Sequence, residues 1–226
     1  MLNKIMQSPL YALLISISVI ALSFISLTSL DASQIMAALD YELDIMTYCC
    51  YAFAFGIIVS HSSAFQTKQE KTHLILFLFL YFFAILREMG IQHWLAKVLG
   101  TTATTAFKLR FFSSPDNPLS AKIISGLILL SVIASLLYLL IFYAPKLIKG
   151  FFKYQTLSWT TATLAGIGIA GKIVDRLPSN LKKADIQLND SVISFMKLFE
   201  ESSEMCLPLI CAVWFVQFSL IKNSNQ

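Results

Sequence analysis

Charge is scarce in this chain. Only 13% of its 226 residues are Asp, Glu, Lys or Arg, about half of the roughly 25% that coats a soluble domain. With 57% hydrophobic residues and a mean hydropathy of +0.71, the composition excludes an ordinary water-soluble globule. Cysteine is also sparse. Cys49, Cys50, Cys206 and Cys211 all fall inside apolar stretches, where they act as small buried hydrophobes, so no disulfide framework is indicated. Three histidines, not paired at two membrane depths, argue against a two-haem electron-transfer bundle. No basic stripe accompanies the pI near 8.8. The cations are spread singly between apolar runs, which argues against nucleic acid as a partner.

What is present is a succession of long apolar runs. At about 20 residues per crossing the length suits five to seven transmembrane helices. The expected architecture is an all-α polytopic membrane helix bundle of about six spans, forming one integral-membrane domain over residues 1–226. The spans are expected near 9–30, 45–60, 74–89, 121–144, 157–175 and 199–221. The first run is longer than a secretory h-region of about 7–15 residues and has no A-x-A site, so it reads as an uncleaved helix. An acidic connection with Asp31, Asp40, Glu42 and Asp44 follows it. His61 and His73 flank a short polar turn and are expected to be solvated. Gly90 to Pro118 is too long for a simple connection, and its Trp94, Phe111 and Phe112 read as an interfacial aromatic belt. Lys146, Lys149 and Lys153 interleave with Phe151, Phe152 and Tyr154, as the membrane–water interface selects.

Short cytoplasmic loops retain Lys and Arg. An inside N-terminus places Lys4, the Lys68/Lys71 turn, the Lys146/Lys149/Lys153 cluster and Lys222 in the cytoplasm, and the acidic first connection outside. Six spans then return the C-terminus to the cytoplasm. Lys97, Lys108, Arg110, Arg176, Lys182 and Lys183 run against the rule.

With this threading the outer ends of the third, fifth and sixth helices carry Arg87/Glu88, Lys172/Asp175/Arg176 and Glu200/Glu201/Glu204. A lone ion at membrane depth costs roughly 2.5–3.5 kcal/mol on insertion scales, so such groups face a bundle interior and pair. The three ends are therefore expected to converge. Lys172 and Arg176, and Glu200 and Glu204, are i, i+4 pairs, and each shares a helical face. One reading is mutual neutralisation or snorkelling of the cations to headgroups. The other is a water-accessible pocket. Within a pocket, Glu88, His93, Asp175, Glu200 and Glu204 are acid/base candidates or ligands for a divalent metal, although no H-E-x-x-H is present. Arg87, Lys108, Arg110, Lys172 and Arg176 are candidate clamps for a phosphate, with Arg offering a planar fork.

Some motifs match only on paper. Gly166-Ile-Gly168-Ile-Ala-Gly171 satisfies G-x-G-x-x-G, but a dinucleotide loop needs a preceding strand, and this run has spanning length. Ile173 also stands where a phosphate loop needs Ser or Thr. Close helix packing along Ala162, Gly166 and Ala170 is the plainer reading. It predicts a central fifth helix whose small-residue face is open to a second copy or a membrane-protein partner. Ser194-Phe-Met-Lys197 spells S-x-x-K without the companion motifs of a serine acyl-enzyme.

Arg87-Glu88-Met89 with His93, Lys108-Leu-Arg110-Phe, Lys172-Ile-Val-Asp175-Arg176-Leu-Pro178 and Glu200-Glu201 with Glu204 together resemble a family of bacterial multi-pass inner-membrane proteins of unassigned activity. The likeness covers most of the chain from the third helix onward and implies a bacterial cytoplasmic membrane, not a substrate. Gly90 departs from that pattern, where an acidic residue is expected, which counts against a metal site. Three functions remain open. The first is a membrane-embedded enzyme acting on a lipid or lipid-linked phosphate at the outer side. The second is a transporter or channel component that binds an anion or relays protons. The third is a non-catalytic assembly subunit.

Overall fold

The computed structural model describes residues 5–27, 32–101 and 105–224, without the side chains of residues 27, 32–42 and 44. The described residues form helices and no strands. In chain order these are α1 (Tyr11–Leu27), α2 (Ala32–Ser60), α3 (Lys68–Glu88), α4 (Ile91–Val98), α5 (Leu109–Ser113), α6 (Leu119–Phe152), α7 (Thr156–Lys183) and α8 (Asp190–Ser224), with a 3-10 turn at Ser62–Ala64. Five stretches are long and apolar enough to cross a membrane: Ile45–Ala64, Lys68–Glu88, Leu119–Phe152, Thr156–Lys183 and Asp190–Ser224. The protein is a multi-pass, all-α membrane protein. α1 is apolar but has 17 residues, the lower limit of the roughly 17–25 that a crossing takes.

The chain divides into two compact units. The first comprises residues 1–64 and 146–226, the second residues 65–145. Within the first, α8 packs against α1, α2 and α7. Of its most apolar stretch 44% is buried, against 17% for α7, so within this unit the last helix is the central one, where the sequence pointed to the fifth span. Cys206, Ile210 and Val213 of α8 pack with Ala12 of α1 and with Leu164 and Ile167 of α7. Close approach between α7 and α8 comes from Gly171, where an added Cβ would lie 3.1 Å from the Ser203 Cβ, and from Gly168 beside Leu207. Gly166 meets nothing within 4 Å, so the close glycine contacts with α8 are made at Gly168 and Gly171 and not at Gly166.

Polar residues tie the other end of this unit. Thr160 Oγ1 donates to Gln217 Oε1 at 2.6 Å, and Gln217 Nε2 donates to the Met6 carbonyl at 2.8 Å. Thr160 and Gln217 are fully buried, where an unmet polar group would be costly. The α6–α7 turn is tight. Tyr154 takes a positive φ of 54°, and the Trp159 ring stacks on Phe151 and Tyr154.

In the second unit, α3 opens with a capping box. Thr67 Oγ1 accepts from the Glu70 amide while Glu70 Oε2 accepts from the Thr67 amide, so the helix starts at Lys68, before the apolar run. Gly90, at φ 76°, turns the chain from α3 into α4, a left-handed conformation that favours glycine.

Several expectations need correction. His73 is buried, not solvated; its Nδ1 lies 2.9 Å from the Tyr143 hydroxyl and its ring lies against Phe142. Phe111 is buried in a small core with Ala96, Ala106 and Ala121, so it does not join the interfacial belt. The stretch expected as an acidic connection is helical backbone from Ala32 onward. Lys4, Asp31, residues 102–104 and the side chains of Asp40, Glu42 and Asp44 lie outside the described residues.

Candidate functional site

α7 and α8 bring one charged cluster together. Lys172 lies in the third quarter of α7, on the face that meets α8, because the Gly168–Gly171 ridge lets the two backbones approach. Its Nζ donates to Glu204 Oε1 at 3.0 Å and to Glu200 Oε1 at 3.4 Å. Asp175 Oδ2, one turn along α7, is 3.7 Å away. Glu200 and Glu204 are one turn apart on α8, so one ammonium bridges both. Their side chains are 18% and 14% exposed, whereas Lys172 and Asp175 remain 46% and 41% exposed. The carboxyl groups are thus more enclosed than the lysine that holds them. One ammonium thus contacts three carboxyl groups.

Arg176 follows Lys172 by one turn and is exposed. Both lie on an open, shallow groove along α7, whose lining residues all belong to that one helix. Its walls are apolar, from Leu164, Gly168, Ile169 and Ile173, and its far end is polar, with Lys172, Arg176 and Asn180. An apolar trough ending in two cations matches an amphiphile with an anionic head.

The remaining expected site residues lie in the second unit. Arg87 pairs with its neighbour Glu88 at the end of α3, its Nε lying 3.0 Å from Glu88 Oε1. His93 is exposed on α4, and Lys108 and Arg110 are exposed around α5. The structure therefore brings together Lys172, Asp175, Glu200 and Glu204, with Arg176 alongside. Arg87 and Glu88 meet each other within their own unit, and His93, Lys108 and Arg110 belong to a separate segment of it.

Among the described residues no group of three or more His, Cys, Asp or Glu side chains is arranged to hold a metal ion. The Lys172 ammonium occupies the space between Glu200 and Glu204 where a cation would be bound. The groove itself was not anticipated from sequence. Its signal was available in the i, i+3, i+4 spacing of Ala165, Gly168, Ile169, Lys172, Ile173 and Arg176, which puts small residues and two cations on one helical face.

Compared with known proteins, the chain matches no family model, no curated protein and no solved structure.

Proposed function

We propose that the protein is a membrane-embedded enzyme acting on a lipid or lipid-linked phosphate, bound with its tail along the α7 groove and its phosphate at Arg176 and Lys172. The observation that carries this reading is the groove's composition: apolar walls of spanning-helix character leading to two cations one turn apart. Arg176 supplies a fork for a phosphate. Lys172 is shared between the phosphate and Glu204, so bound anion and enclosed carboxyl compete for one ammonium. Glu204 and Glu200 stand beside it as the acid/base pair. The distribution of short basic loops supports an orientation with the cluster on the outer side and both termini inside, and the family resemblance implies that the membrane is a bacterial cytoplasmic one.

The test is lipid retention and turnover by the full-length protein in nanodiscs. Arg176→Ala is expected to weaken binding of a lipid phosphate by roughly 10-fold, the scale of one charge-assisted contact, and to leave folded yield unchanged. Glu204→Gln is expected to retain binding and abolish turnover. Equal binding by Arg176→Ala would remove the phosphate from this site.

A second reading, proton or ion transport, is favoured by one observation: three carboxyl groups surround Lys172. Against it, transporter sites lie near the midplane at broken helices, and Lys172 lies in an unbroken stretch of α7. Proteoliposome proton flux lost on changing Glu200 would reverse the preference.

A further inference from the structure

The segment between α3 and α6 carries a surface that the charged cluster does not use. α3 and α6 are consecutive spanning helices, so residues 89–118 lie at one face of the bilayer by necessity. Its described residues, 89–101 and 105–118, are folded. Ala96, Ala106, Phe111 and Ala121 form its core. The Ala106 amide bonds the Gln92 carbonyl at 3.1 Å, Thr101 Oγ1 donates to the Ala96 carbonyl at 2.9 Å, and Asn117 Nδ2 donates to the Phe111 carbonyl at 2.9 Å.

Having buried that core, the segment still exposes large apolar side chains: Trp94 and Val98 at 59% each and Leu109 at 86%. Trp94 and Val98 are i, i+4 neighbours on α4, which presents them on one strip. Lys97, Lys108 and Arg110 are exposed among them. None of these three cations has an ion pair with a carboxylate among the described residues. Water accounts for the exposed cations but not for the exposed apolar side chains beside them. A bilayer surface selects both, because apolar side chains enter the headgroup–acyl boundary while Lys and Arg reach phosphate.

We propose that α4 and α5 form an interfacial platform that docks on anionic phospholipid headgroups of the bilayer crossed by α3 and α6. Trp94, Val98 and Leu109 insert, and Lys97, Lys108 and Arg110 contact the headgroup phosphates. Lys108 and Arg110 thereby act on the membrane surface and not on a substrate. The inference stands apart from the lipid-phosphate reading of the α7 groove, since neither its residues nor its test involve Arg176 or Glu204.

The experiment is hydrogen–deuterium exchange of the full-length protein in nanodiscs of phosphatidylcholine alone and with about one-third phosphatidylglycerol. Three cations near an anionic surface are enough for roughly a hundredfold shift in the docked population. Amides of residues 91–113 are expected to exchange at least about threefold more slowly in the anionic discs. Raising the salt to about 0.5 M is expected to remove the difference without any mutation. The K97Q/K108Q/R110Q variant is expected to lose it while peptides of α8 keep their native protection. A smaller difference in the wild-type protein overturns the proposal. So does one that survives high salt, or one reproduced by inorganic phosphate in phosphatidylcholine discs. Should the variant lose protection in α8 as well, the wild-type salt response decides.

Discussion

At the scale of residues, Lys172 is the centre of the first unit's electrostatics. In water each exposed ion pair contributes only about 0.2–1 kcal/mol, and Lys172 is half exposed. Glu204 and Glu200 are not, so removing the ammonium leaves two enclosed carboxyl groups facing each other. Lys172→Met is therefore expected to lower unfolding free energy in detergent by about 1–3 kcal/mol. Adding Glu204→Gln to it should recover part of the loss, because the second change removes the stranded charge. A thermodynamic cycle of the two single variants and the double variant measures this coupling. Strictly additive effects would show that the contact between Lys172 and Glu204 has no energetic role. The i, i+4 spacing of Glu200 and Glu204 was legible in the sequence, as was the sharing of a face by Lys172 and Arg176. That Lys172, which shares the groove with Arg176, also reaches Glu200 and Glu204 depends on the neighbouring helix.

At the scale of elements, two glycines of α7, each preceded by an alanine, have opposite roles. Gly171 touches Ser203, whereas Gly166 has open space beside it. In a membrane, helix association depends on van der Waals packing more than on hydrophobic contrast, so added volume at the contact forces the helices apart. Gly171→Val is expected to destabilise the protein by about 1–3 kcal/mol, and Gly166→Ala to leave stability within about 0.5 kcal/mol of wild type or raise it slightly. Unfolding curves of the two variants under one detergent condition give the comparison, and equal losses would contradict the α7–α8 packing. The start of α3 was equally open to sequence reasoning. Thr67-Lys-Gln-Glu70 is a capping box in plain view, and hydropathy alone places the helix start six residues late because it registers apolarity and not hydrogen bonds. The buried position of His73 was not open to it, since Tyr143 is 70 residues away in the chain.

At the scale of the whole molecule, the status of α1 decides the topology. Five helices are long enough to span without it, and five crossings would leave the termini on opposite sides. α1 nonetheless packs through Ala12 against the core of α8, and the contact of Gln217 with Met6 fixes the segment before it. A short helix held in this way is expected to cross by local thinning of the bilayer. Reporter fusions at the two ends are expected to give the same side, the cytoplasmic one. Opposite sides would mean that α1 does not cross, and would invert the expected sidedness of either the Lys149/Lys153 turn or the N-terminus.

Composition by itself determined that this is a helical membrane protein, with five helices long and apolar enough to cross. In hydrocarbon each helix satisfies its own backbone, so length and apolarity suffice to define a crossing. Local spacing likewise determined which charges share a helical face. Tertiary structure alone decided that α8 is central, that the small-residue ridge in contact runs through Gly171, and that Phe111 and His73 turn inward. Every long helix here is apolar on most faces, and the choice among those faces rests on shape complementarity between residues far apart in the chain, which periodicity does not encode.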